Sequence, residues 1–291
     1  MAGASFATHE VSNQSPPFRD LNLFTSDAAL QEAARREGAA PDEELAAFGA
    51  AAGSGEAFEL GRLANENPPK LRRFDQKGFP LDIVEFHPAY HAVMRRSVAA
   101  GLNGSAWEHL LAAELAPAGA QVARLARLYM TTQTEPGHLC PLTMTHAAVP
   151  ALMRQPEIAK ALLPKMLSRD YDERFRPMAE KSGITLGMGM TEKQGGTDVR
   201  ANATTARPIG AAGPGEAYIL VGHKWFLSAP MCDGFLMLAQ AAGGLSCFLV
   251  PRFLPDGSVN PLRLQRLKDK LGNRSNASSE AELPVAQSSR V

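Results

Sequence analysis

The sequence has few cysteines and no long apolar run, and each absence excludes a class of protein. Its 291 residues include three cysteines, Cys140, Cys232 and Cys247, an odd number without CxxC spacing. This usage indicates neither a disulfide framework nor a zinc knuckle, and it favours a reducing compartment. No apolar run approaches the roughly 20 residues that a membrane-spanning helix needs. We therefore expect a cytoplasmic protein without membrane contact.

Net charge is absent as well. Lys and Arg together number 30, as do Asp and Glu, so no global basic field would attract nucleic acid or anionic lipid. The polar N-terminal segment lacks the charged-then-apolar layout of a signal peptide. With 45% hydrophobic and 21% charged residues, the composition is that of a folded globular chain with room for two ordinary domains.

The charge balance conceals a split near residue 180. Residues 181–291 carry 12 basic and 8 acidic side chains, which leaves 18 basic and 22 acidic ones in residues 1–180. The first part shows helical spacing and capping signals, whereas after Ile184 short β-rich runs alternate with Gly and Pro. We therefore predict an α+β protein with a flexible tail over 1–25, an all-α helical domain over 26–180 and a compact β-domain over 181–291.

Apolar spacing, caps and turn residues predict the individual elements. The predicted helices run over 28–36, from 41 onward, over 54–65, from 88 to about 100, around 107–111, and over 118–132, 139–152 and 158–167. Short strands are predicted at 218–221, 234–239 and 246–250. Gly243 and Gly244 separate the last two strands and predict an antiparallel hairpin.

One glycine-rich segment concentrates groups that could bind a cofactor. Residues 187–201 read GMGMTEKQGGTDVRA, with Thr191 and Thr197 on either side of Gly195 and Gly196. Backbone N–H groups and the two hydroxyls could converge on an anionic or heteroaromatic ligand without obstruction by a Cβ. A plain turn is the alternative, because Gly-rich polar segments commonly form turns. The segment is neither a Walker A motif nor the G-x-G-x-x-G fingerprint.

The same segment resembles the flavin-site signature of the acyl-CoA dehydrogenase family at every position from Gly189 to Ala201. Residues 222–229, GHKWFLSA, resemble the family strand that lies against the isoalloxazine. Together with residues 86–91 and 266–278, these motifs are similar to the AidB branch, flavoproteins associated with the response to DNA alkylation. The resemblance extends from about residue 22 to about residue 283.

This resemblance implies an FAD-binding flavoprotein whose β-domain is an antiparallel barrel and whose intact family oxidises acyl-CoA to enoyl-CoA. Met190 and Thr191 would contact the pyrimidine edge of the flavin, and Thr197 the FAD pyrophosphate. Phe226 would stack on the flavin and Ser228 would approach N5. The implied cofactor-binding residues are Met188, Gly189, Met190, Thr191, Glu192, Lys193, Gln194, Gly195, Gly196, Thr197, Phe226, Leu227 and Ser228.

Nearby residues are expected to have other roles. Strand alternation places Trp225 on the opposite face from Phe226, which favours a packing role. For Glu192, a solvated or turn-stabilising role is favoured over that of a catalytic base. His87 and His91 have i, i+4 spacing but lack a third ligand, so we predict no metal site.

In the family, the catalytic base and the principal oligomer contacts belong to a C-terminal helical bundle. The sequence here departs from the family after residue 283, so we expect a truncated chain that lacks the bundle and has no catalytic residue. We therefore expect this chain to bind FAD weakly and to show little or no dehydrogenase turnover. The intact family is expected to form homo-oligomers. Acyl-CoA is the further ligand that the resemblance implies.

A basic run over 263–274 leaves a second function open. It contains Arg263, Arg266, Lys268, Lys270 and Arg274 with Asp269 as the one acid. The run could contact phosphate of nucleic acid, CoA or FAD, or it could be a solvated face or an ion-pair partner of the acidic helical part. The alternative function is a non-enzymatic, DNA-protecting flavoprotein that binds DNA through the missing C-terminal region or weakly through this run.

Overall fold

The computed structural model describes Thr8 and residues 12–291, and it places helices before a large β-sheet. The described helices are α1 (Ala28–Arg36), α2 (Asp42–Ala52), α3 (Gly55–Glu66), α4 (Pro88–Ala99), α5 (Ala120–Thr132), α6 (Leu139–Leu152) and α7 (Pro156–Met166). Short 3-10 helices span Ser105–Leu111, Met178–Glu180 and Val199–Ala201. The predicted helix over 139–152 is confirmed residue for residue, and the one around 107–111 is a 3-10 helix instead of an α-helix.

Strands form a small hairpin within the helical part and a larger sheet after it. The hairpin consists of β1 (Lys70–Phe74) and β2 (Pro80–Glu85). The larger sheet consists of β3 (Leu186–Gly189), β4 (Thr205–Pro208), β5 (Ala217–Ser228), β6 (Gly234–Ala241), β7 (Gly244–Pro251), β8 (Arg263–Leu267) and β9 (Ser278–Arg290). The predicted hairpin at Gly243 and Gly244 is confirmed, since β6 and β7 pair antiparallel through that turn.

The larger sheet closes on itself. Its strand order is β3-β5-β4-β6-β7-β9-β8, and the additional pairings β3–β6 and β5–β9 join strands that lie apart in that order. β3 and β4 each pair in parallel with β6, so the predicted purely antiparallel barrel is corrected to a mixed sheet. The reason is that β3 and β4 both pair antiparallel with β5, and β6 also runs opposite to β5 because three antiparallel pairings, through β9 and β7, separate the two strands.

The hairpin of β1 and β2 corrects the expectation that the first part is all-α. Asp75 forms its turn, because Asp75 Oδ1 accepts hydrogen bonds from the backbone N–H of Lys77 at 2.8 Å and of Phe79 at 2.9 Å. Gly78 completes the turn with φ at +85°, a conformation that favours glycine. The Asp-x-x-Gly spacing was the signal available in the sequence.

Helix α6 connects the helical part to the sheet. Thr145 Oγ1 on this helix accepts a hydrogen bond of 2.9 Å from the N–H of Leu186 in β3. Ala148 and Leu152 of α6 share one buried apolar cluster with Leu186 and Leu236 of the sheet. Burial of this shared face fixes β3, and therefore the segment that follows it, against the helices.

Part of the predicted tail over 1–25 lies outside the described residues, namely positions 1–7 and 9–11. Within the described part, Leu23 and Phe24 are each 1% exposed and pack in a cluster with Ala34 of α1 and Leu45 of α2. Packed structure therefore begins before α1. The predicted boundary at residue 180 falls between α7 and β3 and stays a prediction. Within Thr8 and residues 12–291, no helix has the length and apolarity to cross a membrane.

Candidate functional site

The glycine-rich segment forms a loop between β3 and β4, and a buried ion pair lies beneath it. Glu192 Oε1 lies 2.8 Å from Lys224 Nζ of β5, and both side chains are 0% exposed. Lys224 Nζ also donates a hydrogen bond of 2.7 Å to the carbonyl oxygen of Leu238 in β6. The pair therefore ties the loop to two strands of the sheet.

Both carboxylate oxygens of Glu192 have protein partners. Oε2 accepts from the N–H of Ala203 at 2.6 Å, and Oε1 also accepts from the N–H of Thr204 at 3.2 Å. Burial raises the pKa of Glu192, but the hydrogen bonds from Lys224, Thr204 and Ala203 and the charge of Lys224 outweigh it, so this pKa lies below its ordinary value. The expected solvated position is therefore wrong, whereas the turn-stabilising role agrees with these contacts.

Further hydrogen bonds hold the loop in shape. Asn202 Nδ2 donates to the carbonyl oxygen of Met190 at 2.8 Å, and Gln194 Nε2 donates to Asn202 Oδ1 at 2.9 Å. The backbone N–H of Lys193 donates to His223 Nε2 at 3.2 Å. The Gln194 side chain is thus directed to the loop itself, while the exposed Lys193 ammonium lies 5.5 Å from the Trp225 ring centroid.

The two glycines of the loop create space at its surface. Gly195 has φ at +122°, which favours glycine, and a Cβ there would meet no described atom within 4 Å. A Cβ on Gly196 would come within 2.9 Å of Thr191 Oγ1. Thr197 is exposed and Thr191 is half-buried, so this segment lies at the surface. Such a cradle can accept an anionic or heteroaromatic group.

Trp225 and Phe226 form an aromatic platform beside the loop. The N–H of Trp225 donates to the carbonyl oxygen of Thr191 at 2.9 Å. Lys268 Nζ lies 3.4 Å from the Trp225 ring centroid and 4.5 Å from the Phe226 ring centroid. The predicted placement on opposite faces is therefore wrong. The reason is a β-bulge, because the pairing register of β5 with β9 shifts between Lys224 and Leu227.

The remaining predicted residues divide between surface and interior. Phe226 is 44% exposed and Ser228 is half-buried, whereas Leu227 is 0% exposed and lies in the barrel core. Gly189 is buried too, and a Cβ there would lie 3.1 Å from both Leu227 Cδ1 and Lys224 Cγ. Met188 and Met190 are half-buried and pack against the cluster that α6 shares with the sheet. Three of the predicted residues therefore support the site from the interior and are not at its surface: Gly189, Glu192 and Leu227.

The sequence predicted no role here for Lys224, Asn202 or Glu280, and it predicted for Lys268 only a place in the basic run over 263–274. Lys224 and Asn202 support the loop as described above. Glu280 Oε1 accepts from Lys268 Nζ at 2.7 Å and from Arg266 Nε at 2.6 Å, which holds the ammonium against the aromatic platform. The Lys224 position within the 222–229 motif was the one local signal, and the other contacts join residues far apart in the chain.

The basic run over 263–274 does not form one free patch. Besides Arg266 and Lys268, Arg263 lies 3.4 Å from Asp82 Oδ2 of β2. Lys270 Nζ donates a hydrogen bond of 2.5 Å to the carbonyl oxygen of Asn276. Ion pairing therefore accounts for part of the run. In the salt bridges described for these residues, Asp82 is the one partner that belongs to the helical part, and Glu280 lies in the sheet.

Comparisons with known proteins agree with this architecture. Residues 13–173 match the family described as adaptive response protein AidB N-terminal domain, and residues 187–284 match the acyl-CoA dehydrogenase middle domain. The chain therefore belongs to the acyl-CoA dehydrogenase family, in its AidB-like branch. The AidB protein of Escherichia coli (strain K12) is 52% identical over 281 residues, which cover 96% of this chain and 50% of the relative.

More distant relatives share the fold. Acyl-CoA dehydrogenase family member 11 of Caenorhabditis elegans is 28% identical over 81% of this chain and 38% of the relative. The structure of C. elegans ACDH-11 in complex with C11-CoA has a TM-score of 0.81 at 26% identity and covers 98% of this chain and 49% of that one. Bd2924 in its apo-form also has a TM-score of 0.81, at 27% identity, with coverage of 96% and 55%. The chain thus spans about half the length of the curated relatives it matches.

Proposed function

We propose that this chain supplies the flavin-facing wall of an FAD site in an acyl-CoA-oxidising flavoprotein. The observation that carries the proposal is the exposed Phe226 side chain. Its backbone N–H lies 3.5 Å from the carbonyl oxygen of the half-buried Thr191, and the half-buried Ser228 follows two residues later in the same strand. Of its neighbours in the sequence, Trp225 is half-buried and Leu227 is buried. An exposed aromatic ring on a segment that also carries hydroxyl side chains suits a flat heteroaromatic ligand with hydrogen-bonding edges.

The residues present fit the parts of FAD. Phe226 would pack on the isoalloxazine, while the hydroxyls of Thr191 and Ser228 would hydrogen-bond its polar edge. The backbone at Gly196 and the Thr197 hydroxyl would hold the pyrophosphate. Gly196 has no side chain, so a ligand can approach its backbone without obstruction by a Cβ. When bound, FAD would accept a hydride during oxidation of an acyl-CoA to its enoyl form.

Proton removal from such a substrate needs a free carboxylate, and Glu192 does not supply one. Its two oxygens are bonded to Lys224, Ala203 and Thr204 beneath the loop. Glu192 is therefore a positioning residue that holds the loop, and acyl-CoA oxidation requires a different base. We expect this chain by itself to bind FAD weakly and to show little or no dehydrogenase turnover.

FAD binding tests the proposal directly. We expect the fluorescence of FAD to change when the purified chain is added, and Phe226→Ala to weaken the affinity about tenfold, equivalent to about 1.4 kcal/mol. Phe18→Ala is the matched control, since Phe18 is exposed like Phe226 but packs on Phe58 in the helical part. Absence of FAD uptake by the folded chain, or equal losses in both variants, would contradict the proposal.

Acyl-CoA is supported as a ligand by the C11-CoA that ACDH-11 binds in its structure. The alternative function, a non-enzymatic DNA-protecting flavoprotein, is not favoured by the basic run, because Arg263, Arg266 and Lys268 pair with carboxylates. A gel-shift titration of this chain with duplex DNA at low salt tests that alternative, and we expect no shift.

A further inference from the structure

Three buried polar side chains of the helical part form a continuous hydrogen-bonded chain. Ser97 Oγ of α4 lies 2.7 Å from His138 Nε2, and His138 Nδ1 lies 2.7 Å from Glu135 Oε2. Ser97, His138 and Glu135 are 4%, 1% and 2% exposed. A hydroxyl, an imidazole and a carboxylate in this order have the connectivity of a nucleophile, its general base and the group that orients the base.

Hydrogen bonds to Glu135 fix the direction of this chain. Glu135 Oε1 accepts from Ser275 Oγ at 2.7 Å and from the N–H of Gly137 at 2.8 Å, and Oε2 accepts from the N–H of His138 at 2.8 Å. Burial raises the pKa of Glu135, but the hydrogen bonds from His138 and Ser275 outweigh it, so this pKa lies below its ordinary value. The ionised carboxylate accepts the Nδ1 proton, which leaves Nε2 to accept the Ser97 hydroxyl proton.

The three side chains line a cavity of about 260 Å³. Six of its twelve lining residues are apolar, and five of these are small: Ala51, Ala52, Ala57, Val93 and Ala100. Ala57 and Val93 are buried, as are the three polar residues, whereas Ala51 is exposed and Ala100 is half-buried. The polar chain therefore lies at the buried side of a small apolar space that has partly exposed walls.

We propose that this cavity is a hydrolytic site for esters of short aliphatic acids, with Ser97 as the nucleophile. Ser97 Oγ bonds to the ester carbonyl carbon while its proton moves to His138 Nε2. The bond from that carbon to the alcohol oxygen breaks, and the alcohol leaves with the proton. Water then attacks the acyl-serine, gives its proton to His138, and releases the acid as Ser97 regains its proton. Ester and water thus yield acid and alcohol without any cofactor.

Side chains around the cavity set the expected rate. The hydroxyls of Thr131 and Thr134 donate to the carbonyl oxygens of Arg127 and Ala52, so they are not free to stabilise an oxyanion. Arg96 supplies the one Lys or Arg side chain among the residues that line the cavity. Missing oxyanion donors cost about 10²–10³-fold in rate in serine hydrolases, so we expect slow turnover and choose covalent labelling as the main measurement.

A fluorophosphonate tests the nucleophile, because it phosphonylates activated serines. We expect mass spectrometry of the digested, labelled chain to place the adduct on Ser97, and Ser97→Ala to abolish it together with slow hydrolysis of p-nitrophenyl butyrate. His138→Gln should slow labelling of Ser97 by about 10²-fold or more, the usual contribution of a general base. Circular dichroism and urea unfolding establish that each variant is folded.

Ser288→Ala provides a matched control. Ser288 is 5% exposed and donates to the carbonyl oxygen of Tyr218, with no imidazole partner described. We expect its labelling pattern to equal that of the unchanged chain. A folded chain without an adduct on Ser97, or with an adduct that survives Ser97→Ala, overturns the hydrolytic site. This experiment does not depend on FAD, so it can fail while the proposed flavin site stands.

Discussion

Lys224 Nζ lies 2.8 Å from Glu192 Oε1, and neither side chain is exposed to solvent. The two residues are 32 positions apart in the chain, one in the loop after β3 and the other in β5. This pair anchors to the sheet the loop that contains Thr191, Gly196 and Thr197. Disturbing either partner is therefore expected to affect both the free energy of unfolding and the shape of the candidate flavin site.

Lys224→Met should lower the free energy of unfolding by about 3–5 kcal/mol, because it leaves the Glu192 carboxylate buried without a cation. Urea unfolding followed by circular dichroism measures the loss. Lys160→Met, at an exposed position of α7, is the control and should change stability by less than about 0.5 kcal/mol. A loss below about 1 kcal/mol for Lys224→Met would show that the pair contributes little.

Acid should weaken this pair in a defined direction. The pKa of Glu192 in the folded chain lies below the ordinary value of 4.5. Its contribution to stability is therefore fully present above that value and is lost as the pH falls through the lower, folded-state pKa. Unfolding in urea at a series of pH values from about 6 to about 3 should show a smaller pH dependence for Glu192→Gln than for the unchanged chain. Equal slopes would contradict the assignment.

The helices were predictable from the sequence because their signals are local. Ser54 and Pro88 mark helix starts, and apolar spacing over 118–132 predicted α5, which begins two residues later than predicted, at Ala120. Glu192 was predicted to be solvated because acids in turns usually are, and its burial depends on Lys224 in another strand. The prediction that Trp225 and Phe226 lie on opposite faces of the strand was wrong, because a bulge interrupts strand alternation there. No local pattern in the sequence predicts that bulge.

Gly196→Ala should weaken FAD binding while the fold is kept. The added Cβ would lie 2.9 Å from Thr191 Oγ1, so it displaces a hydroxyl that we assign to the flavin. We expect a loss in FAD affinity of about tenfold, measured by titration of FAD fluorescence. Gly210→Ala is the matched control, since its Cβ would meet no described atom within 4 Å. If both substitutions leave the affinity unchanged, Gly196 does not border the flavin.

Lys268→Met should reveal the energy of the aromatic platform. Lys268 Nζ lies 3.4 Å from the Trp225 ring centroid, and the Lys268 side chain is 10% exposed, so the cation–π contact is poorly screened by water.

A double-mutant cycle with Trp225→Leu isolates this contact from the bond between Lys268 and Glu280. We expect a coupling energy of about 0.5–2 kcal/mol from urea unfolding of the four chains. The same cycle with Lys193, which is exposed and lies 5.5 Å from the Trp225 centroid, should give a smaller value because water screens that charge. Equal coupling in the two cycles would mean that Lys268 is held by Glu280 and not by the indole ring.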